Sequence, residues 1–149
     1  MIIDATNLIL GRLATRAAKK ALLGEEVVVV NCEKAVVTGQ KKRIIDKYLQ
    51  TISRGNVNQG PYVSRRPDLL VRRTIRGMLP RKKPRGREAF AKVKCFIGVP
   101  EVAKGQHGQH AQEFKTFADA NVSKLRGSNY MSVMELCSLI GWKAKGKIA

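Results

Sequence analysis

The sequence predicts an α/β domain built on a parallel sheet, and three segments carry that reading. Ile2, Ile3 and Ala5 form a short apolar opening of strand character. Val27-Val28-Val29-Val30 is an unbroken β-branched run, the pattern of a strand covered on both faces. Val93-Lys94-Cys95-Phe96-Ile97-Gly98 alternates with the two-residue period of a further strand that would complete the sheet.

Between the first two runs a helix is expected from Arg12 to Leu23, closed by Gly24. At 100° per residue, Leu13, Ala14, Ala17, Ala18, Ala21 and Leu22 share one half of the helical wheel. Arg12, Arg16, Lys19 and Lys20 occupy the other half, so the helix has an alanine-rich inner face and a basic outer one. Strand, helix and strand in this order make a right-handed βαβ unit. The chain of 149 residues is one domain's length, with residues 1–142 as the domain and 143–149 as a basic tail expected to be mobile or ordered only on a partner.

Ala35 to Thr38 adds a short extended segment before a second helix, from about Gln40 to Ser53, with Ile44, Ile45, Tyr48, Leu49 and Ile52 facing inward. Residues 55–67 are rich in Gly, Asn and Pro and read as a loop, after which Pro67 opens a third helix. Leu70, Val71, Thr74, Ile75 and Met78 line one side of it, Arg72, Arg73 and Arg76 the other, and Pro80 ends it. Arg81-Lys82-Lys83-Pro84-Arg85-Gly86-Arg87 places five cations in seven residues beside a Pro and a Gly, which excludes a buried segment; a helical turn over Glu88 to Lys92 follows. Residues 105–112 are polar and punctuated by glycine, with no regular structure expected. Ser132-Val-Met-Glu135 is a capping box that starts a last helix through Leu136, Leu139 and Ile140, stopped by Gly141.

The charge is concentrated. The chain carries 29 Lys plus Arg against 11 Asp plus Glu, a net +18. Residues 41–94 hold 17 of these cations, opposed by Asp46, Asp68 and Glu88 alone, so +14 of the surplus lies there. Like charges crowded on one surface repel unless a polyanion relieves them, which makes nucleic acid the natural partner. A thermophile's solvated surface would mix Glu with Lys in networks, and here the acids are missing. The phosphate-contacting candidates are Lys41, Lys42, Arg43, Arg65, Arg66, Arg72, Arg73, Arg76, Arg81, Lys82, Lys83, Arg85 and Arg87. Arginine offers phosphate a planar fork and lysine a mobile point charge. Only Tyr48, Tyr62 and Phe90 are aromatic between Lys41 and Lys94, so a platform for stacking single-stranded bases is not suggested. Folded RNA, read through shape and backbone, fits better than duplex DNA, whose readers show helix-turn-helix or zinc-finger patterns.

Catalytic readings fail residue by residue. The first turn, Leu10-Gly11-Arg12-Leu13-Ala14, has one glycine where a dinucleotide fingerprint needs three, and no Walker sequence occurs. His107 and His110 have the spacing of a ligand pair but no cysteine beside them, and a polar loop suits them better. Cys32, Cys95 and Cys137 are odd in number and sit in apolar segments, as packed reduced thiols do. Asp46, Asp68 and Glu88 are better explained by helix starts and salt links than by a nuclease metal site. No metal, cofactor or small-molecule substrate is expected. No apolar run reaches the roughly 18 residues of a membrane span, and the opening residues lack a signal-peptide pattern, so a cytoplasmic protein is expected. The alternatives from other classes are an RNA-processing enzyme that holds its substrate on the same basic surface, or a regulator that binds messenger RNA.

Ile75-Arg-Gly-Met-Leu-Pro80, the cations after it, Gly86 and the Val93-Lys-Cys-Phe-Ile-Gly98 strand together resemble the thirteenth large-subunit ribosomal protein, a universal family. Ile3-Asp-Ala5, Leu10-Gly-Arg-Leu-Ala14, Val29-Val-Asn31, Val37-Thr-Gly39 and Gly60-Pro61 extend the resemblance over about residues 2–100. The Gly60-Pro-Tyr loop and the long helix from Lys41 to Arg54 resemble its archaeal and eukaryotic branch, and residues 103–149 depart most from the common pattern. The resemblance implies a three-layer α/β/α single domain around a small, mostly parallel sheet of about four strands, with basic loop and C-terminal extensions. It further implies binding to large-subunit ribosomal RNA beside neighbouring ribosomal proteins, a part in subunit assembly, no catalysis, and RNA contact at Arg76 to Lys83.

Overall fold

A computed structural model describes residues 1–56, 58–100, 114–125, 127 and 129–143. The opening βαβ unit is present: β1 (Ile2–Asp4), α1 (Leu10–Leu22) and β2 (Val27–Val30), with β1 and β2 parallel. β3 (Val36–Thr38) follows a 3-10 turn over Cys32–Lys34, and then come α2 (Lys41–Ser53), α3 (Pro67–Gly77), α4 (Pro84–Ala91) and β4 (Val93–Cys95). β5 (Phe114–Lys115), β6 (Tyr130–Ser132) and α5 (Val133–Leu139) complete the described elements. The main sheet runs β4-β2-β1-β5 with every neighbouring pair parallel, while β3 and β6 pair antiparallel in a second, two-stranded sheet. This is the α/β single domain with a mostly parallel sheet that the residues predict.

The crossovers from β1 to β2 and from β2 to β4 step toward the same edge, so their common right-handedness puts α1 and the α3–α4 pair on one face. Both α3 and α4 pack on α1. The alanine face makes this close approach possible: Leu13, Ala14, Ala17, Ala18 and Ala21 are all buried against Leu70, Val71 and Ile75 of α3 and Ala89 of α4. Thr15 Oγ1 donates across the same seam to Met78 Sδ at 3.3 Å. Removing a side chain such as Leu13 from this core would cost about 2–5 kcal/mol.

The ends of β1 and β2 are tied by a small polar network. Asn31 takes a left-handed conformation (φ 54°) and donates from its side chain to Asp4 Oδ1 at 2.9 Å. Thr6 donates to the same oxygen from its backbone N–H and its hydroxyl. Partial burial pushes the Asp4 carboxyl up, but the hydrogen bonds from Asn31 and Thr6 outweigh it and hold the group below the usual carboxylate range.

Several elements differ from the sequence reading. The helix expected only over Glu88 to Lys92 begins at Pro84, because proline's fixed φ and missing N–H suit a first helical position. Gly86 is buried although the cations around it are exposed: a Cβ there would stand 2.2 Å from the Pro80 carbonyl oxygen. Leu49, expected to face inward, is exposed, since α2 offers Ile44 to the core and only partly covers Ile45, Tyr48 and Ile52. Met78 lies beyond the end of α3 and is likewise exposed. The strand at Val93 stops at Cys95. β5 and β6 had no counterpart in the sequence reading. The capping box is as expected, with Ser132 Oγ accepting from the Glu135 N–H at 3.1 Å. His107, His110 and the 105–112 stretch lie outside the described residues, as does the tail beyond Lys143.

Candidate nucleic-acid interface

The site is built on α3. Pro67 sets its first turn, and Asp68 stands beside the unpaired N–H groups of that turn, where a negative charge is favoured. Asp68 is almost fully buried and takes both Arg66 donors, Nε at 3.2 Å and Nη2 at 2.8 Å. Asp68 therefore serves the helix start and a salt link. Leu70, Val71 and Ile75 sink into the core, which forces Arg72, Arg73 and Arg76 onto the flank that meets α4 and the preceding loop. At 3.6 residues per turn the three lie within about 100° of one another.

They do not simply point to solvent. The Arg72 guanidinium carbon sits 4.7 Å from the centroid of the Phe90 ring on α4, a cation–π stack worth about 0.5–2 kcal/mol. Its Nε–H is buried without an acceptor among the described residues, so the stack rather than a hydrogen bond holds the head. Arg73 donates to the Tyr62 carbonyl of the loop before α3. Arg76 completes the rim of an open cleft of about 470 Å³, lined also by Tyr62, Ser64, Leu69 and Phe90. No acid lines this cleft among the described residues. Sequence reasoning placed the three arginines here but missed that Tyr62 and Phe90 converge with them.

The other candidates divide into free and tied cations. Arg81, Lys82, Lys83, Arg85 and Arg87 are all exposed around the turn into α4, and Lys42 is exposed on the first turn of α2. Arg43 lines a second cleft, of about 500 Å³, with Tyr48 and Lys47, a lysine the candidate set did not include. Lys41 pairs with Glu135 at 3.2 Å, Arg66 with Asp68, and Arg65 lies against Gly141 at the end of α5. The basic face of α1 is partly neutralised by the chain itself. Arg12 donates to the Asp119 carbonyl at 2.7 Å, Arg16 pairs with the Asp119 carboxylate, and Lys20 pairs with Glu25 at 2.8 Å. The Asp119 and Glu25 carboxyls are held below their ordinary values by these partners.

Among the described residues nothing in this surface assembles a reactive group. Cys32 and Cys137 are fully buried. A hydrogen bond with Cys95 and burial push the Cys32 thiol up, and burial together with the Asp68 charge pushes Cys137 up to about 12, so neither is a thiolate near neutral pH. Among the described residues no three of His, Cys, Asp and Glu come together as a metal site. No described helix is long and apolar enough to cross a membrane. The arrangement can bind and position an anionic polymer.

The chain is similar to known proteins. The family described as Ribosomal protein L13 matches residues 1–102. Three archaeal proteins, each named large ribosomal subunit protein uL13, are similar over nearly the whole chain. That of Methanopyrus kandleri is 43% identical over 145 residues, covering 97% of this chain and 89% of its own. That of Methanocaldococcus jannaschii is 43% identical, covering 95% and 98%. That of Archaeoglobus fulgidus is 41% identical, covering 95% and 88%.

Proposed function

We propose, from the premise that this chain belongs to the ribosomal protein L13 family, that it docks on large-subunit ribosomal RNA through α3, α4 and the turn between them. As a member of that family it is a structural constituent of the large ribosomal subunit and not an enzyme, and it associates with ribosomal RNA and other ribosomal proteins. The particle it serves is cytoplasmic. The observation that carries the docking reading is the acid-free cleft where Arg72, Arg73 and Arg76 meet, continuous in sequence with the exposed cations from Arg81 to Arg87. The cations tied to Asp119, Glu25 and Glu135 contribute less, since each already has a carboxylate.

The mechanism is counterion release on a pre-shaped polymer. A scaffold that holds its cations in place loses little side-chain freedom on binding, and each phosphate neutralised frees a condensed cation into solution. With about 6–10 phosphates engaged, affinity should fall by about 10³–10⁵ between 50 and 200 mM salt. The test is sedimentation of the protein with large subunits over a salt series. Retention at moderate salt and release at high salt supports the reading, and salt-independent retention overturns it. A turnover assay on structured RNA, with and without divalent metal, should show none.

A further inference from the structure

We propose that the cleft between α3 and α4 receives one unpaired nucleotide of the RNA, its base laid against the Arg72–Phe90 stack and the Tyr62 ring and its phosphate held by Arg73 and Arg76. This deepens the docking reading and rests on it. A continuous duplex backbone would present only phosphate and ribose, and for that a flat basic surface suffices. Here the surface is neither flat nor uniformly basic. The cleft of about 470 Å³ has one wall of Leu69, Phe90 and Tyr62 and a rim of guanidiniums.

Three features fit a base in particular. Leu69 and Tyr62 are large side chains with much of their surface exposed, at 39% and 66%, and both line the cleft. The Arg72 guanidinium stacks on Phe90 and both side chains line the cleft, so a planar group entering it meets a cation and a ring together. Unpaired bases in folded RNA stack on arginine planes and aromatic rings in this way. The Tyr62 ring is placed by Gly60, whose φ is +75° and where a Cβ would stand 3.1 Å from the ring. Charge complementarity selects the occupant, because the lining residues hold three arginines and no acid.

The test uses Phe90→Leu, which keeps an apolar side chain but removes the ring, and Tyr62→Leu at an exposed position that leaves the core untouched. Wild type and variants are titrated with large-subunit RNA over a salt series, and the RNA in each complex is probed with dimethyl sulfate. Each variant is expected to bind about 5- to 150-fold more weakly with an unchanged salt slope, the range of one lost base–aromatic stack. One nucleotide shielded by the wild type should become reactive. Unchanged affinity with an unchanged footprint overturns the nucleotide pocket while leaving the docking reading standing. Wild-type binding that ignores salt overturns the docking reading itself. A folding defect in Phe90→Leu leaves Tyr62→Leu to decide. If an acidic peptide of equal charge displaces RNA from the wild type but no better from the variants, and no base changes reactivity, the cleft is a protein-docking site and the proposal fails.

Discussion

Replacing Arg72, Arg73 and Arg76 together by alanine should separate binding from folding. With Arg73 and Arg76 together engaging one or two phosphates, the slope of log K against log salt falls by about 0.7–1.8, from the single-strand value for one phosphate to the double-strand value for two. At 0.1 M salt that corresponds to a loss of about one to two decades of affinity, to which loss of the Arg72 contact adds. The fold should survive, because Leu70, Val71 and Ile75 keep α3 seated on α1. Loss of the Arg72 stack on Phe90 removes about 1 kcal/mol, which in a domain of this size lowers Tm by about 3 °C. The assay pairs filter binding to large-subunit RNA over a salt series with thermal unfolding. A triple lysine variant serves as control: it keeps the charge count and should retain most of the slope while losing fork geometry. A triple alanine variant with an unchanged slope, or one that loses tens of degrees of Tm while binding normally once folded, would refute the assignment.

Other perturbations probe the frame around that face. Gly86→Ala would press a methyl group onto the Pro80 carbonyl and should cost about 3 kcal/mol by denaturant titration; a neutral result would mean that α4 can shift freely. Arg16→Ala should change the RNA salt slope by less than half a unit, since its partner Asp119 already compensates it; a drop of a full unit would place α1 on the RNA. Asp4 titrates below its ordinary value of 3.8, so its contribution to stability is complete above that pH and is lost as pH falls through the lower folded value. Asp4→Asn should flatten that part of the acid unfolding curve and leave the curve near neutrality parallel to wild type. Cys32 and Cys137 should resist alkylation at pH 8 until the chain is unfolded, and rapid labelling of either would contradict their burial.

Much of the scaffold is legible in the residues because its signals are periodic and local. The valine run of β2 and the alanine face of α1 state their partners through composition alone, and Pro67 and the Ser132 capping box mark helix starts by chemistry confined to one turn. β5 is two exposed residues long, and only its backbone pairing with β1 makes it a strand, so no side-chain pattern could announce it. α4 was masked by its own cations, which read as loop until Gly86 is seen pressed against Pro80. Charge bookkeeping found the cation-rich segment but could not tell free cations from tied ones. Arg16 meets Asp119 across 103 residues and Lys41 meets Glu135 across 94, separations that only the tertiary structure resolves. The convergence of Tyr62 and Phe90 on the α3 arginines is of the same kind: a property of how two helices and a loop pack.

A map of the assembled large subunit containing this protein is the most direct test. The guanidiniums of Arg72, Arg73 and Arg76 should lie within hydrogen-bond reach of RNA, with the turn from Arg81 to Arg87 alongside the same strand. Those arginines facing bulk solvent, with ribosomal RNA held by some other surface, would contradict the account.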